Sequence, residues 1–189
     1  RIGDLHAAKL GDFESAFGDY SRCVRIEPAN ETARSELFRL AELEKGWAKL
    51  AALLEEVVEG ELEPSLQRQL FVDLAEVHDT YLDGWDKAVA FFRKALALEP
   101  DDRDTLAALE KLYTRREQWP ELLEVYRKKA ELNSDPNESE QLYFKMAYLW
   151  EEMLGNVEEA ITTYREVLAQ DDANPRALKA LDRLYQGQA

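Results

Sequence analysis

Cations at a fixed spacing are the residues of this chain that could bind a carboxylate. Arg39, Lys111 and Arg183 stand 72 residues apart, and basic or polar residues four positions away share their helix faces. Because guanidinium groups pair with carboxylates through two parallel hydrogen bonds, this basic stripe predicts an acidic partner. The alternative is a solvated face, with cations near helix C-termini where the dipole favours them. The stripe comprises Arg39, Lys111, Arg115, Lys179 and Arg183.

The residue patterns of common catalytic and metal sites are missing from the sequence. It has no glycine-rich phosphate loop, no HExxH and no serine elbow. Its two histidines, His6 and His78, lie 72 residues apart without a nearby cysteine, so we interpret them as packing residues and not as metal ligands. Trp47 and Trp119 open predicted helices and are interpreted as structural plugs. We therefore expect no catalytic residue, no cofactor and no metal.

Composition and charge narrow the classes of partner. The chain of 189 residues is 46% hydrophobic and carries a net charge of −15. It can bury a core, but the charge argues against binding nucleic acid over a broad surface. No stretch reaches the length of a membrane helix, so no membrane insertion is expected. One cysteine, Cys23, cannot form an internal disulfide and is expected to be a small buried residue, and this leans towards a cytoplasmic location.

A repeat of 72 residues organises the sequence. Small residues recur with an aromatic residue four positions later and a turn further on, and self-similarity at a fixed period is typical of a repeat array. The small residues are Ala16, Ala88 and Ala160, and the aromatic residues are Tyr20, Phe92 and Tyr164. Pro28 and Pro100 keep the same spacing, as do Leu37, Leu109 and Leu181.

Every predicted element is a helix, because apolar residues recur three and four apart and no run alternates with period two. Loops of two to four residues place consecutive helices antiparallel. The sequence thus predicts one all-α array of helical hairpins over 1–189. The expected hairpins are 1–28, 31–59, 65–100, 103–132 and 138–170, followed by an unpaired helix at 175–186.

The chain resembles a degenerate tetratricopeptide-repeat array. The A-x₃-F…P half of that motif is present as Ala16 and Tyr20 with Pro28, and as Ala88 and Phe92 with Pro100. Half of the 72-residue unit is also close to the 34 residues of this repeat. Half-a-tetratricopeptide and Sel1-like hairpins are the alternative families. The resemblance implies a right-handed α-solenoid whose inner wall comes from the first helix of each hairpin.

The resemblance also implies a scaffold that binds a peptide or partner domain in a concave groove, without catalysis. The long helices would add an apolar stripe to that groove through Val77, Tyr81 and Leu149, with Lys145 beside it. These apolar residues could instead pack onto neighbouring hairpins. The alternative functions are a regulatory or recruiting module of a larger enzyme and an RNA-processing scaffold, which the net charge disfavours.

The last predicted helix has no helix behind it to cover its apolar face. Leu178, Leu181, Leu184 and Tyr185 would then face water, and an isolated array normally ends in polar caps. We therefore expect a segment of a larger protein, or end-to-end pairing of two copies.

Overall fold

A computed structural model describes residues 12–187 of the chain. The predicted helix tail over residues 1–9, including His6, lies outside the described residues. Within them the chain forms ten α-helices and no strand, so the predicted all-α fold of sequential hairpins is confirmed. The helices are α1 (Phe13–Ile26), α2 (Glu31–Glu44), α3 (Trp47–Val58), α4 (Pro64–Tyr81), α5 (Trp85–Leu98), α6 (Arg103–Arg115), α7 (Trp119–Glu131), α8 (Pro136–Tyr148), α9 (Val157–Gln170) and α10 (Pro175–Gly187).

The chain divides into two compact units, and each is described by itself. Unit 1 comprises residues 1–100 and unit 2 comprises residues 101–189. In unit 1, each of the helices α1 to α5 packs against the next one along the chain. In unit 2, the helices α6 to α10 pack in the same sequential manner. The family of hairpins expected from the sequence is thus seen within each unit, while the single array over 1–189 stays a prediction.

Side-chain caps and prolines fix where the helices begin. Asn30 Oδ1 accepts a hydrogen bond from the backbone N–H of Ala33 at 3.0 Å, and Asp12, Asp102 and Asn156 cap α1, α6 and α9 in the same way. These bonds satisfy amide groups that have no partner inside the helix. Pro64 and Pro136 occupy the first helical position, where a missing N–H has no cost.

Left-handed residues end four of the helices. Lys45, Asp83 and Glu117 have φ angles of 54°, 47° and 55°, and Gly155 has a φ of 63°. The turn after α4 also needs Gly84, since a Cβ there would stand 2.8 Å from His78 Nδ1. The chain is thereby reversed within a few residues, which keeps consecutive helices in contact.

Small and aromatic residues pack at the helix contacts as the repeat predicts. Ala16, Ala88 and Ala160 are fully buried, so the facing helices can approach closely at these points. Tyr20, Phe92 and Tyr164 lie buried one helical turn later. Leucines at the centre of α2 and α6 complete the interior. This packing supplies most of the stability, because short helices are marginal in isolation.

The long helices of the two units end differently. In unit 1, α4 runs as a regular α-helix for 18 residues. In unit 2, α8 is α-helical for 13 residues and then continues as a π-helical segment, Leu149–Met153. The N–H of Leu154 bonds to the carbonyl of Leu149 at 3.0 Å, five residues back. Such a segment holds more residues per turn, so it changes the direction in which the following side chains point.

Candidate functional site

An open groove in unit 2 is the candidate functional site. It lies among the end of α6, the start of α7, one face of α8 with its π segment, and the start of α10, and its volume is about 520 Å³. We call it the unit 2 groove. Aromatic and aliphatic side chains form most of its surface, among them Trp119, Leu122, Tyr126, Phe144, Tyr148 and Met153.

Two of the apolar side chains in the groove face solvent. Tyr148 on α8 is 52% exposed and Met153 at the end of the π segment is 41% exposed. Leu122, by contrast, is fully buried and forms part of the floor. Large apolar side chains left in water beside a concave surface are typical of interaction sites. The groove is therefore open at the level of these two residues.

Two cations border the groove. The guanidinium carbon of Arg176 lies 4.0 Å from the ring centroid of Phe144, in a cation–π contact. The ammonium of Lys145 lies 5.2 Å from the ring centroid of Tyr126 and 3.7 Å from Glu110 Oε1. Arg176 makes no ion pair with any described residue. The groove thus combines an apolar wall with positive charge.

Glu110 is held by several partners at the floor of the groove. It receives Lys129 as an ion-pair partner and the Tyr126 hydroxyl as a hydrogen-bond donor, besides Lys145. Burial, with the charge and hydrogen bond of Glu110, raises the pKa of Tyr126 to about 12. Tyr126 therefore stays protonated at neutral pH and can donate its proton to Glu110. The single carboxylate here is engaged by two lysines and a tyrosine.

The corresponding corner of unit 1 is closed by stacked rings. Trp47 opens α3 as Trp119 opens α7, and Tyr81 ends the long helix where Met153 ends the π segment. The Trp47 and Tyr81 ring centroids lie 3.6 Å apart with planes inclined by 9°. Phe38 meets the indole edge-on at 6.3 Å. The indole surface that borders a groove in unit 2 is covered here.

Unit 1 has a polar cavity of about 550 Å³ beside this corner. Arg34, Ser35, Gln69 and Asp73 line it together with Glu31 and Phe38. Burial raises the pKa of Asp73, although the hydrogen bond from Gln69 and the charge of Arg34 act against the increase. Asp73 stands five residues before the last residue but three of α4, at the place that Lys145 holds in α8. The two units thus have opposite charges at this helix position.

Intramolecular ion pairs neutralise part of the predicted basic stripe. Arg39 bonds to Glu36 at 2.7 Å and Arg183 bonds to Glu151 at 2.7 Å. Both are exposed, as are Lys111, Arg115 and Lys179. Lys111 and Lys179 make no ion pair with any described residue. The stripe as a binding surface stays a prediction, with two of its cations already engaged by the chain's own carboxylates.

The predicted apolar stripe needs a correction. Val77 is 1% exposed and Leu149 is 6% exposed, because both pack into the interior of their units. They favour the alternative interpretation, packing onto neighbouring helices. Tyr81 is exposed on one side only, since its ring covers Trp47. Of the predicted groove residues, only Lys145 and Leu149 border the unit 2 groove.

Sequence reasoning missed several residues of the groove. Phe144, Tyr148 and Arg176 were not predicted as site residues, although all three line it. Trp119 was interpreted as a structural plug and lines it as well. The available signal was Tyr148, an aromatic residue off the buried face of α8. Spacing alone does not tell whether such a residue meets a neighbour or solvent.

The last helix is better covered than the sequence suggested. Leu181 and Leu184 are buried against Ala147, Ala160 and other residues of α8 and α9. The expectation that they face water is therefore wrong, because α10 turns this face towards α9. Leu178 and Tyr185 are exposed as expected, and Tyr185 accepts a hydrogen bond from Arg165 at 2.8 Å. End-to-end pairing stays a prediction.

The buried histidine is part of a small polar cluster in unit 1. His78 Nε2 lies 3.0 Å from Glu55 Oε1, and Lys87 donates to the same oxygen at 2.7 Å. Burial alone would raise the pKa of Glu55, but the hydrogen bonds from Lys87 and His78 outweigh it and hold that pKa below its usual value. Among residues 12–187, no group of three metal-ligating side chains comes together.

None of the helices in the described part of the chain is long and apolar enough to cross a membrane. Cys23 is partly buried on α1, as expected of a packing residue.

Comparisons with known proteins agree with the helical repeat. Family models of the tetratricopeptide repeat match residues 105–140 and 141–173, which include α6 to α9 and most of the unit 2 groove. These models span about half of the proposed 72-residue unit, so the longer period stays a prediction. No curated protein sequence matches the chain.

Solved structures of repeat proteins are similar in fold. MamA is 19% identical with a TM-score of 0.51, over 93% of this chain and 98% of that one. YrrB, described as a TPR protein with an unusual peptide-binding site, is 16% identical with a TM-score of 0.50, over 94% and 87%. A tetratricopeptide repeat protein from Parabacteroides merdae is 18% identical with a TM-score of 0.52, over 97% and 70%. At such identities the likeness shows the fold alone.

Proposed function

Since the chain is a tetratricopeptide repeat protein, and such repeats generally mediate protein–protein interactions, we propose that it is a non-enzymatic scaffold that binds a peptide in the unit 2 groove. A partner domain would present the same kind of segment from its surface. The families that match are repeat families, and no catalytic family is among them. Recruitment to a larger enzyme would use the same groove.

The observation that carries this proposal is the open apolar groove itself. Its volume of about 520 Å³ lies within the range of roughly 300–1,000 Å³ that is usual for ligand sites. Tyr148 and Met153 are exposed at its mouth, while Leu122 closes the floor. Transfer of these exposed apolar surfaces from water to a partner would drive association. The basic stripe supports the proposal less, because Arg39 and Arg183 already have partners.

The RNA-scaffold alternative is not favoured. Phosphate binding needs clustered cations over a broad surface, whereas this chain has 39 acidic and 24 basic side chains. The groove also has a mostly apolar lining. A peptide with apolar side chains fits this surface better than a phosphate backbone does.

The proposal can be tested with a displayed library of random 12-residue peptides, selected against the 189-residue chain. Enriched peptides would then be titrated by fluorescence anisotropy against Met153→Tyr and Tyr148→Ala variants. The larger ring at position 153 should stack on Trp119, as Tyr81 stacks on Trp47, and fill the groove. We expect each variant to weaken binding by about tenfold or more, as for central interface residues.

The matched control is Tyr81→Met, which makes the reverse exchange at the closed corner of unit 1. It should leave peptide affinity unchanged. Circular dichroism would verify that all variants keep their helix content. Peptides that bind the parent chain and Met153→Tyr equally well would contradict the proposal, and so would a selection that enriches no peptide.

A further inference from the structure

We infer that the unit 2 groove recognises a segment in which a large apolar side chain stands beside a carboxylate, with Arg176 as the partner of that carboxylate. This inference rests on the proposed function and specifies its ligand. The apolar side chain would lie against Trp119 and Met153. The carboxylate would lie at the edge of the guanidinium that covers Phe144.

The stacked geometry of Arg176 leaves its hydrogen-bond donors available. A guanidinium carries five N–H groups in its plane, and they point away from an aromatic ring on which it lies. The Cζ of Arg176 lies 4.0 Å from the Phe144 centroid, a distance typical of close contact between the group and the ring. Stacking also restricts the side chain in advance, so less conformational entropy is lost when a carboxylate binds.

The lack of an acidic partner for Arg176 is informative in so acidic a chain. Elsewhere the carboxylates of the protein readily find the cations: Arg25 meets Glu56 at 2.9 Å and Arg39 meets Glu36 at 2.7 Å. Arg183, on the same helix as Arg176, meets Glu151. At Arg176 none of the described residues supplies a carboxylate. The border of the groove therefore keeps a cation that an acidic partner can reach.

The second cation at the groove strengthens this selectivity. Lys145 is more than half exposed and 3.7 Å from Glu110 Oε1, a distance longer than that of a direct hydrogen bond. Glu110 is also engaged by Lys129 and by the Tyr126 hydroxyl. One carboxylate therefore serves two lysines, and the local field at the groove remains positive. A cationic segment would be repelled here, and an acidic one attracted.

The apolar wall provides the other half of the recognition. Trp119, Tyr148 and Met153 offer an indole, a phenol and a thioether, all polarisable surfaces that adapt to aliphatic and aromatic side chains. Their placement in one groove with Arg176 would let a short segment use both kinds of contact at once. Neither feature alone accounts for the arrangement, since an isolated surface cation contributes little.

The test compares the sequences that a random peptide library yields against the parent chain and against two charge variants. Arg176→Gln removes the stacked cation, and Lys179→Gln removes an exposed cation of the same helix that does not line the groove. Against the parent chain, we expect enrichment of a large apolar residue with Asp or Glu at a constant distance from it. Replacing that acidic residue by its amide should weaken binding of the best peptide by about tenfold.

The variants separate this inference from the proposed function. With Arg176→Gln, the acid and amide peptides should bind equally, whereas Lys179→Gln should retain the parent's preference. If peptides bind in a manner that Met153→Tyr abolishes, but without preference for an acid, the inference is overturned and the proposed function stands. Equal losses with Arg176→Gln and Lys179→Gln would overturn it too, because they would indicate a general charge effect.

Two other occupants of the groove would also contradict the inference. A second copy of the chain would produce concentration-dependent sedimentation that Met153→Tyr abolishes and Tyr81→Met does not. A basic or uncharged consensus among the selected peptides would show that the guanidinium serves only to cover Phe144. Either result would replace the acidic segment as the ligand.

Discussion

In unit 1 the ring of Tyr81 lies flat on Trp47, whereas in unit 2 Met153 leaves a groove beside Trp119. Both tryptophans open a short helix, and both partners end a long one. The rest of the hairpin is built alike in the two units. The difference shows that one side chain, with the π segment that carries it, decides whether this corner is a packing contact or a binding surface.

Charge separates the two corners as well. Asp73 lines the polar cavity of unit 1, while Lys145 borders the apolar groove of unit 2. The raised pKa of Asp73 reflects its burial, whereas Lys145 is exposed at the surface. The two units therefore offer different surfaces on similar scaffolds. A partner for one is not expected to bind at the other.

The largest expected effect is that of removing each tryptophan. Trp47→Ala removes the contacts of the indole with Tyr81 and Phe38, and we expect a loss of about 2–3 kcal/mol in the free energy of unfolding, less than for a fully buried ring. Trp119→Ala borders an open groove and should cost about 1 kcal/mol. Urea unfolding followed by circular dichroism measures both. Equal losses would contradict the closed and open corners.

Exchanging the two partner residues gives a smaller effect of opposite signs. Tyr81→Met removes a stacked aromatic pair and should destabilise the chain by about 1 kcal/mol. Met153→Tyr introduces such a pair with Trp119 and should stabilise it by up to about 1 kcal/mol. The same unfolding experiment applies. A loss of stability in both variants would mean that the π segment prevents stacking in unit 2.

The polar cluster behind the closed corner gives a pH-dependent effect. Glu55→Gln removes the charge that receives Lys87 and His78, and we expect a loss of about 0.5–1 kcal/mol at pH 7, because the carboxylate is partly exposed. The pKa of Glu55 is lowered on folding, so its contribution is present above the unfolded pKa. It is lost as the pH falls through the folded value. Parent and variant should therefore differ less at acidic pH.

The smallest effect is expected from Asp73→Asn. The pKa of Asp73 is raised on folding, so the stability linked to its protonation is present below the unfolded pKa and lost as the pH rises through the folded one. Removal of the charge should then stabilise the chain slightly at pH 7. The gain should disappear near pH 3, where both forms are neutral. The equivalent change Lys145→Gln in unit 2 should show no such pH dependence below pH 7. Melting temperatures at the two pH values would decide.

The helices and their contacts could be predicted because they depend on local patterns. Ala88 and Phe92 stand one turn apart with Pro100 beyond, and these types already specify a close contact, a filled gap and a turn. The same periodicity could not tell which apolar residues face solvent. Val77 and Leu149 continue the buried face of their helices, whereas the exposed Tyr148 stands next to Leu149 in sequence.

The groove depends on two features that no spacing rule reports. One is the π segment at Leu149–Met153, which turns Met153 relative to a regular helix. The other is the contact of Arg176 with Phe144, which joins α10 to α8 across 32 positions of sequence. Both arise from tertiary packing. For the same reason, the basic stripe was over-interpreted, since the ion pair of Arg183 with Glu151 also bridges two helices.

The most direct test of the central claim uses fluorine NMR of the chain labelled with 5-fluorotryptophan. The chain has four tryptophans, and single Trp→Phe variants would assign the signals of Trp47, Trp85, Trp119 and Trp150. On titration with a peptide selected from the random library, we predict that the Trp119 signal shifts and that the Trp47 signal stays in place. A shift of Trp47 or Trp150 with an unchanged Trp119 signal would contradict the assignment of the binding surface to the unit 2 groove.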